Sequence, residues 1–401
     1  ASILFYLNSV FVVFCFVSCG SSPTEASSLL TADIRGGMDK PGLLGLGDEI
    51  KGVTFVPLEV TTDDASLIDG VYDYAVTDRY IYVLPVKEPR IVLFDRQGRF
   101  IRTLVKEGQG PGEFRGILPC IQVDERNDRL FLFSNNRVWE YTLEGEFIGQ
   151  STHEYSVIYM RHIGKDRFAA ISFPFQPFNG GGFGLGLFSR KGDTIAIKND
   201  FYSFLLPHEK SGFTTSIAPA YSDAQNSVLF KTGSNDTVFC ISADRISAAC
   251  VLDLKNSDAE VIRSLDVTDM SNLRIEKKDP KDIFVQDMIE FPGHYYFRLL
   301  YNQGYYIASV DKKTGKTLVE KCVMPGSIYE LADANLQHGM QGTRSYRNFP
   351  VWGRVIKDEL VQVVTPYELN LYKSLRSITI PQELDLKGEE GNPVFVFYSL
   401  I

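Results

Sequence analysis

Residues able to do chemistry are present in this chain, but their spacing scatters them. Its five histidines, His153, His162, His208, His294 and His338, show neither the HxH nor the HExxH spacing that sets two imidazoles on one metal. No GxSxG segment presents a nucleophilic serine, and no CxxC or Cys/His pair has a zinc spacing. Asp124-Glu125-Arg126-Asn127-Asp128 has the acid density of a calcium loop without its Gly and closing Glu, so it reads as a turn between two strands. Gly108-Gln109-Gly110-Pro111-Gly112-Glu113-Phe114 is Gly-rich but lacks the GK[ST] ending of a phosphate loop. It reads as a tight turn in which Pro111 fixes one dihedral and the glycines supply unusual ones. No catalytic residue and no metal ligand is assigned on these patterns.

Recognition chemistry is better represented. Arg115, Arg161, Arg298 and Arg344 carry planar guanidinium forks, and Trp139 and Trp352 carry flat apolar rings. Together they form a candidate ligand face for a peptide or glycan, which needs bidentate hydrogen bonding and stacking. A nucleic-acid partner is excluded on charge, because a chain of net charge −9 has no basic footprint for phosphates.

The elements that must position these groups are repeated. The segment Leu93 to Ile101 (LFDRQGRFI) recurs as Glu140 to Ile148 (EYTLEGEFI) and as Leu187 to Ile195 (LFSRKGDTI). Their aromatic anchors Phe94, Tyr141 and Phe188 are 47 residues apart each time. Each unit is strand, short polar turn with Gly, strand, and another strand pair precedes it: Tyr80 to Leu84 in one, Arg129 to Phe133 in the next. One repeat is therefore four short antiparallel strands. Weaker copies run through Val238 to Ile246 and Ile307 to Val319, and a last one, Val394 to Tyr398, ends without its fourth strand. The early strand Val53 to Val60 is left over at the other end. The expected fold is all-β, a six-bladed β-propeller of four-stranded antiparallel blades, its ring closed by pairing the N- and C-terminal strands. Short helices are expected as insertions in the later blades. They start at the capping boxes Ser257 to Glu260 and Thr365 to Glu368, and Met324 to Pro350 reads as a long loop.

Phe55 to Thr62 (FVPLEVTT), the run Phe94 to Ile101, the segment Gly108 to Phe114, Val123-Asp124, and the ending Asn392 to Tyr398 (NPVFVFY) carry a family likeness. Over nearly the whole chain that follows residue 19, the sequence resembles the six-bladed β-propeller lipoproteins of Bacteroidetes-type bacteria, NHL/TolB-like in fold. The resemblance implies a propeller and a lipid anchor. It carries no established catalytic residues to transfer, and the sequence leaves any cofactor unassigned.

The N-terminus agrees with that likeness. Residues 1–18 hold no charged side chain, and the apolar stretch Val10 to Val17 is shorter than the roughly 20 residues that span a bilayer. It reads as the h-region of a signal peptide whose Met and basic n-region are expected upstream. Phe16-Val17-Ser18-Cys19 then looks like a bacterial lipobox with Cys19 as the lipidated residue. Residues 19–50 read as lipidated Cys and tether, and 51–401 as the single propeller domain. Cys240 and Cys250 lie symmetrically about a turn near residue 245, a placement that admits a disulfide in an exported chain; the other reading is two small buried residues on neighbouring strands. The expected location is the cell envelope, with the chain lipid-anchored to the outer membrane on its periplasmic face or at the cell surface. The expected function is a non-catalytic binding or scaffolding module for a peptide, glycan or protein partner. The alternative is a propeller lyase or hydrolase that gathers a divalent metal in its central channel from several blades, a grouping linear spacing does not reveal.

Overall fold

The computed structural model describes residues 29–42, 49–62, 65–116, 120–134, 136–153, 157–172, 175–176, 184–198, 204–205, 220–224, 226–231, 236–255, 283–302, 304–322, 353–374 and 391–401. Strand β1 (Leu30–Ala32) and helix α1 (Ile34–Asp39) come first, then β2 (Ile50–Pro57). Blade 1 is β3 to β6 (Val71–Val76, Tyr80–Pro85, Arg90–Asp95, Phe100–Lys106), and blade 2 is β7 to β10 (Cys120–Asp124, Arg129–Ser134, Arg137–Tyr141, Phe147–Thr152). Blade 3 is β11 (Val157–His162), β12 (Arg167–Ser172), β14 (Leu185–Ser189) and β15 (Thr194–Lys198); a separate short pair joins β13 (Phe175–Gln176) to β16 (Phe204–Leu205). Blade 4 is β17 to β20 (Ala220–Ala224, Ser227–Lys231, Thr237–Ser242, Ile246–Leu252), and blade 5 is β21 to β24 (Ile283–Glu290, His294–Tyr301, Gly304–Asp311, Thr317–Cys322). Blade 6 takes β25 (Gly353–Ile356), β26 (Glu359–Val364) and, after α2 (Pro366–Ser374), β27 (Val394–Leu400). The result is a six-bladed β-propeller of four-stranded antiparallel blades.

The sixth blade is completed from the other end of the chain. Strand β2 pairs antiparallel with β27, Val53 opposite Tyr398 and Phe55 opposite Val396. The closure is packed as well as hydrogen-bonded, since Phe395 and Phe397 of blade 6 share one buried cluster with Ile81 and Phe94 of blade 1. Asn392 locks it. This buried side chain accepts from Ile68 N (2.7 Å) and donates to the carbonyls of Glu59 (2.7 Å) and Ser66 (2.8 Å), clamping the segment that leads from β2 into blade 1. A buried amide with both ends satisfied avoids the penalty of an orphaned polar group.

Blade-on-blade packing explains the sequence pattern. Second and third strands are covered on both faces, so Tyr80–Pro85 and Arg90–Asp95 read as nearly continuous apolar runs. The anchors Phe94, Tyr141 and Phe188 are all buried at the end of a third strand. The turn glycine four residues after each anchor has positive φ, and each abuts the outer strand of the preceding blade. A Cβ on Gly98 would stand 2.2 Å from Pro57 O, and one on Gly192 2.7 Å from Thr152 O. These turns need glycine for conformation and for close approach.

The folded region reaches back to Leu30, upstream of the boundary at 51 that the sequence suggests. Strand β1 adds to blade 4 in parallel, Leu30 level with Cys250, and Asp33 caps α1 by accepting from Gly36 N at 2.8 Å. Ile34 and Met38 of α1 are buried in the cluster between blades 4 and 5. Helix α2 opens on the expected capping box, with Thr365 N donating to Glu368 Oε2 (2.7 Å) and Glu368 N to Thr365 Oγ1 (3.2 Å). The capping box at 257–260 and the loop 324–350 lie outside the described residues.

Candidate functional site

First strands line the axis of a propeller, and their inner edges present backbone groups with no further strand to pair with. In this ring, side chains from neighbouring blades meet that demand. Asp73 of β3 accepts from Ile121 N of β7 at 2.6 Å, and Arg161 of β11 donates to Ile121 O at 3.0 Å. Gln122 spans β7 to β11 with both ends of its amide, accepting from His162 N (2.6 Å) and donating to His162 O (2.8 Å). Arg354 of β25 donates to Tyr74 O at 2.9 Å and forms an ion pair with Asp73. Blades 1, 2, 3 and 6 are thus stapled around the axis by three charged side chains and one amide.

The charges form a connected group. Arg161 stands 4.0 Å from Asp73, both fully buried, and lies over the Tyr159 ring; Arg354 lies over the Tyr74 ring. In blade 5, Asp287 faces Arg298 across β21 and β22, with Arg298 Nη2 3.6 Å from its carboxylate. Burial pushes the Asp287 carboxyl up to about 6, against the opposing pull of Arg298, the Met288 amide and Arg354. Burial also holds the Cys120 thiol at about 11, although Arg161 favours its thiolate. Its Sγ donates to Met160 O at 3.3 Å.

Among the described residues, the members of the predicted ligand face do not come together. Trp139 is a buried residue of β9, edge-on to Phe114 in the core between blades 1 and 2, because its position on a third strand is covered on both faces. Arg115 is exposed, but it donates to the carbonyls of Gly108 and Gln109 (3.2 Å each) and so braces its own inter-blade turn. In that turn Gly108 N donates to Phe114 O and Glu113 accepts from Gly110 N, as a structural turn requires. Arg161 and Arg298 belong to the axial group and not to an outer face. Arg344 and Trp352 lie outside the described residues. Cys240 and Cys250 are free thiols: the hairpin is centred between residues 243 and 244 and not at 245, so Cys240 stands opposite Ser247 and, beyond a bulge at Val238/Phe239, Cys250 stands opposite Val238. Residues 124–128 form the expected turn, a short 3₁₀ helix ended by Asp128 at positive φ.

The described histidines stay apart as well. His153 stacks on Phe188, His162 stacks on Phe131 beside Asp124 (3.5 Å), and His294 pairs with Glu49 (2.8 Å). Burial lowers the His162 pKa. His208 and His338 lie outside the described residues. Among the described residues, no three His, Cys, Asp or Glu side chains converge as metal ligands.

The family described as a domain of unknown function (DUF4934) matches residues 29–399. The chain belongs to the DUF4934 family. No curated protein matches it. The solved structure of a Bacteroides fragilis NCTC 9343 protein described as exported superposes with a TM-score of 0.64 at 14% identity, covering 93% of this chain and 99% of that one. That likeness supports the fold. BamB of Moraxella catarrhalis (TM-score 0.35, 9% identity, 68% of each chain) and a Bacteroides thetaiotaomicron VPI-5482 protein of unknown function (0.36, 12%, 67% and 63%) superpose too loosely to say more.

Sequence reasoning on this DUF4934 member missed Asp73, Asp287 and Arg354. The available signal was a charge inside a first strand: Asp73 between Tyr72 and Tyr74, and Asp287 in the run Ile283 to Ile289. A charge in such a run is retained when it satisfies a buried partner.

Proposed function

We propose that this protein is a lipid-anchored cell-envelope propeller that binds a peptide, glycan or protein partner through one rim of its ring. The observation that carries the reading is the asymmetry of the two rims. Every first-to-second and third-to-fourth strand turn falls on one rim, and these are short: 77–79, 125–128, 190–193, 243–245 and 357–358 are typical. The strand ends joined by 199–219, 253–282, 323–352 and 365–393 all lie at the other rim. Long connections concentrated on a rigid scaffold are where binding residues are commonly placed.

The path of the N-terminus supports the orientation. Strand β1 runs parallel to β20, hence from the short-turn rim toward the long-connection rim. Leu30 therefore stands toward the short-turn rim, and a tether from Cys19 that continued the line of β1 would turn the long-connection rim away from the membrane. Between Cys19 and Leu30 the chain reaches at most about 40 Å when extended. The lipobox-like Cys19, the likeness to an exported Bacteroides fragilis protein and the resemblance to NHL/TolB-like lipoproteins support the envelope location. Among the described residues no helix is long and apolar enough to cross a membrane.

Two measurements test this. Wild-type protein should incorporate labelled fatty acid and partition into detergent, and Cys19→Ala should do neither. In a thermal-shift screen against oligosaccharides and peptides, a ligand at a hundred times its Kd stabilises by about 2.7 kcal/mol. Failure of every class, together with failure to capture a protein from envelope extracts, would overturn the binding reading.

A further inference from the structure

We propose that the N-terminal arm, residues 29–42, is a strap that holds the ring close to its membrane anchor. Docked in the seam between blades 4 and 5, it removes most of the chain that would otherwise separate Cys19 from the ring. The inference rests on the lipid anchor proposed above and adds to it the distance at which the ring stands.

The arm is bonded to both blades. On the blade 4 side, Ala32 O accepts from Asp253 N (2.8 Å), Arg35 N donates to Asp253 O (3.1 Å), and Arg35 Nε donates to Leu254 O (3.0 Å). On the blade 5 side, Gly42 N donates to Val319 O (2.8 Å), and the Arg35 guanidinium lies over the Tyr301 ring. Ala32, Ile34 and Met38 are buried between them, in one cluster with Leu252, Val310 and Val319. The turn glycines show whose place the arm takes. Gly98, Gly145 and Gly192 abut the fourth strand of the preceding blade, at Pro57 of β2, Leu104 of β6 and Thr152 of β10. The matching Gly315 of blade 5 abuts β1, where a Cβ would stand 3.2 Å from Thr31 O. Strand β1 thus serves blade 5 as its neighbour's outer strand.

The arm owes its shape to this seam. A six-residue helix that contains Gly36 and Gly37 falls short of the length and propensity an isolated helix needs. Docking then sets the reach of the anchor. Leu30 lies 11 residues beyond Cys19, and Ile50 lies 31 beyond it. Extended, these lengths span at most about 40 Å and about 110 Å. As flexible chains they average about 18 Å and about 31 Å. With the arm docked, the shorter length governs.

Neutron reflectometry of the lipidated full-length chain on a supported bilayer reads the stand-off of the ring. One flexible Gly/Ser segment of about 20 residues, inserted at either of two places, separates the readings. Between Ser28 and Leu29 it lengthens the tether, and the mean stand-off should rise by about 12 Å. Between Leu44 and Gly45 it lengthens only the link from arm to β2, and the stand-off should stay as in wild type. Ile34→Asp, which puts a carboxylate into the seam, should release the arm and raise the stand-off by a similar amount. The two insertions decide the matter if that variant folds poorly. Equal rises from both insertions, or no rise from either, would overturn the strap. Amide exchange on the full chain carrying Cys19→Ala tests docking without the lipid, and the Arg35 and Gly42 amides should exchange as slowly as those of β20. Rapid exchange at these amides overturns the strap even where the anchor holds. Slow exchange in a protein that takes up no lipid overturns the anchor, and the stand-off with it, while leaving the arm docked.

Discussion

Replacing Asp73 with alanine removes the acceptor of Ile121 N and the anion that faces both Arg161 and Arg354. Breaking a buried ion pair by deleting one partner costs about 3–5 kcal/mol. Here each arginine keeps a carbonyl contact, to Ile121 O and Tyr74 O, which places the electrostatic loss near 3 kcal/mol. The orphaned Ile121 amide adds about 1–2 kcal/mol. The sum is about 4–5 kcal/mol. Unfolding entropy of about 2.1 cal/mol/K per residue, over the roughly 370 residues of the family match, gives about 0.8 kcal/mol per degree. Asp73→Ala should therefore lower Tm by about 5–6 °C in calorimetry. Asp73→Asn keeps an acceptor for Ile121 N while losing the charge, and should lie between the two. Because the pair is buried, the loss should persist in high salt, whereas an exposed pair such as Lys165–Asp244 contributes little at any ionic strength. An Asp73→Ala protein melting within about 1 °C of wild type would refute the claim that side chains staple the inner strands.

Three further outcomes follow from the same structure. Asn392→Ala strands Ile68 N and two carbonyls at the ring closure, and should destabilise by about 2–4 kcal/mol in denaturant melts; retention of wild-type stability would show that β2–β27 pairing alone closes the ring. Asp287 is raised to about 6 in the fold from 3.8, so the unfolded chain releases its proton first and stability falls as pH climbs from 4 to 6. The shift corresponds to about 3 kcal/mol, reduced to about 1 kcal/mol for a side chain one-third exposed. Asp287→Asn should thus match wild type at pH 4 and exceed it above pH 6, and the absence of that divergence would place Asp287 in bulk solvent. Finally, with Cys250 buried at a pKa of about 12 and Cys240 and Cys250 both free, reductant should leave Tm unchanged and native Cys250 should resist alkylation; a Tm drop on reduction would indicate a bridge.

Much of the ring was legible because its turns have constant length. The 47-residue interval from Phe94 to Tyr141 to Phe188 survives in sequence since each anchor fills the same slot at the end of a third strand and the same turn glycine touches the preceding blade. Strand β1 was not legible, because Leu30-Thr31-Ala32 is too short to show alternation. Its place beside β20 is set by Ile34 and Met38 entering a core built by residues far away in sequence. The pairing of Cys240 and Cys250 failed for a different reason: the hairpin turns between residues 243 and 244 rather than at 245, which already sets Cys240 opposite Ser247. Trp139 and Arg161 resembled surface groups only because linear position does not say which side of a strand is covered.

The axial residues expose the deeper limit of reading by motif. Asp73, Ile121 and Arg161 sit 48 and 40 residues apart, and no local pattern links them. They meet because closing a ring leaves each first strand with an edge to satisfy, and a neighbour's side chain is the nearest donor or acceptor. That requirement explains why charges recur at the axis. Asp73 and Arg161 are the fully buried members of that group, while Asp287, Arg298 and Arg354 keep partial exposure. If burial decides what each of these charges is worth, Asp73→Ala should lower Tm clearly more than Arg298→Gln, whose partner Asp287 is one-third exposed.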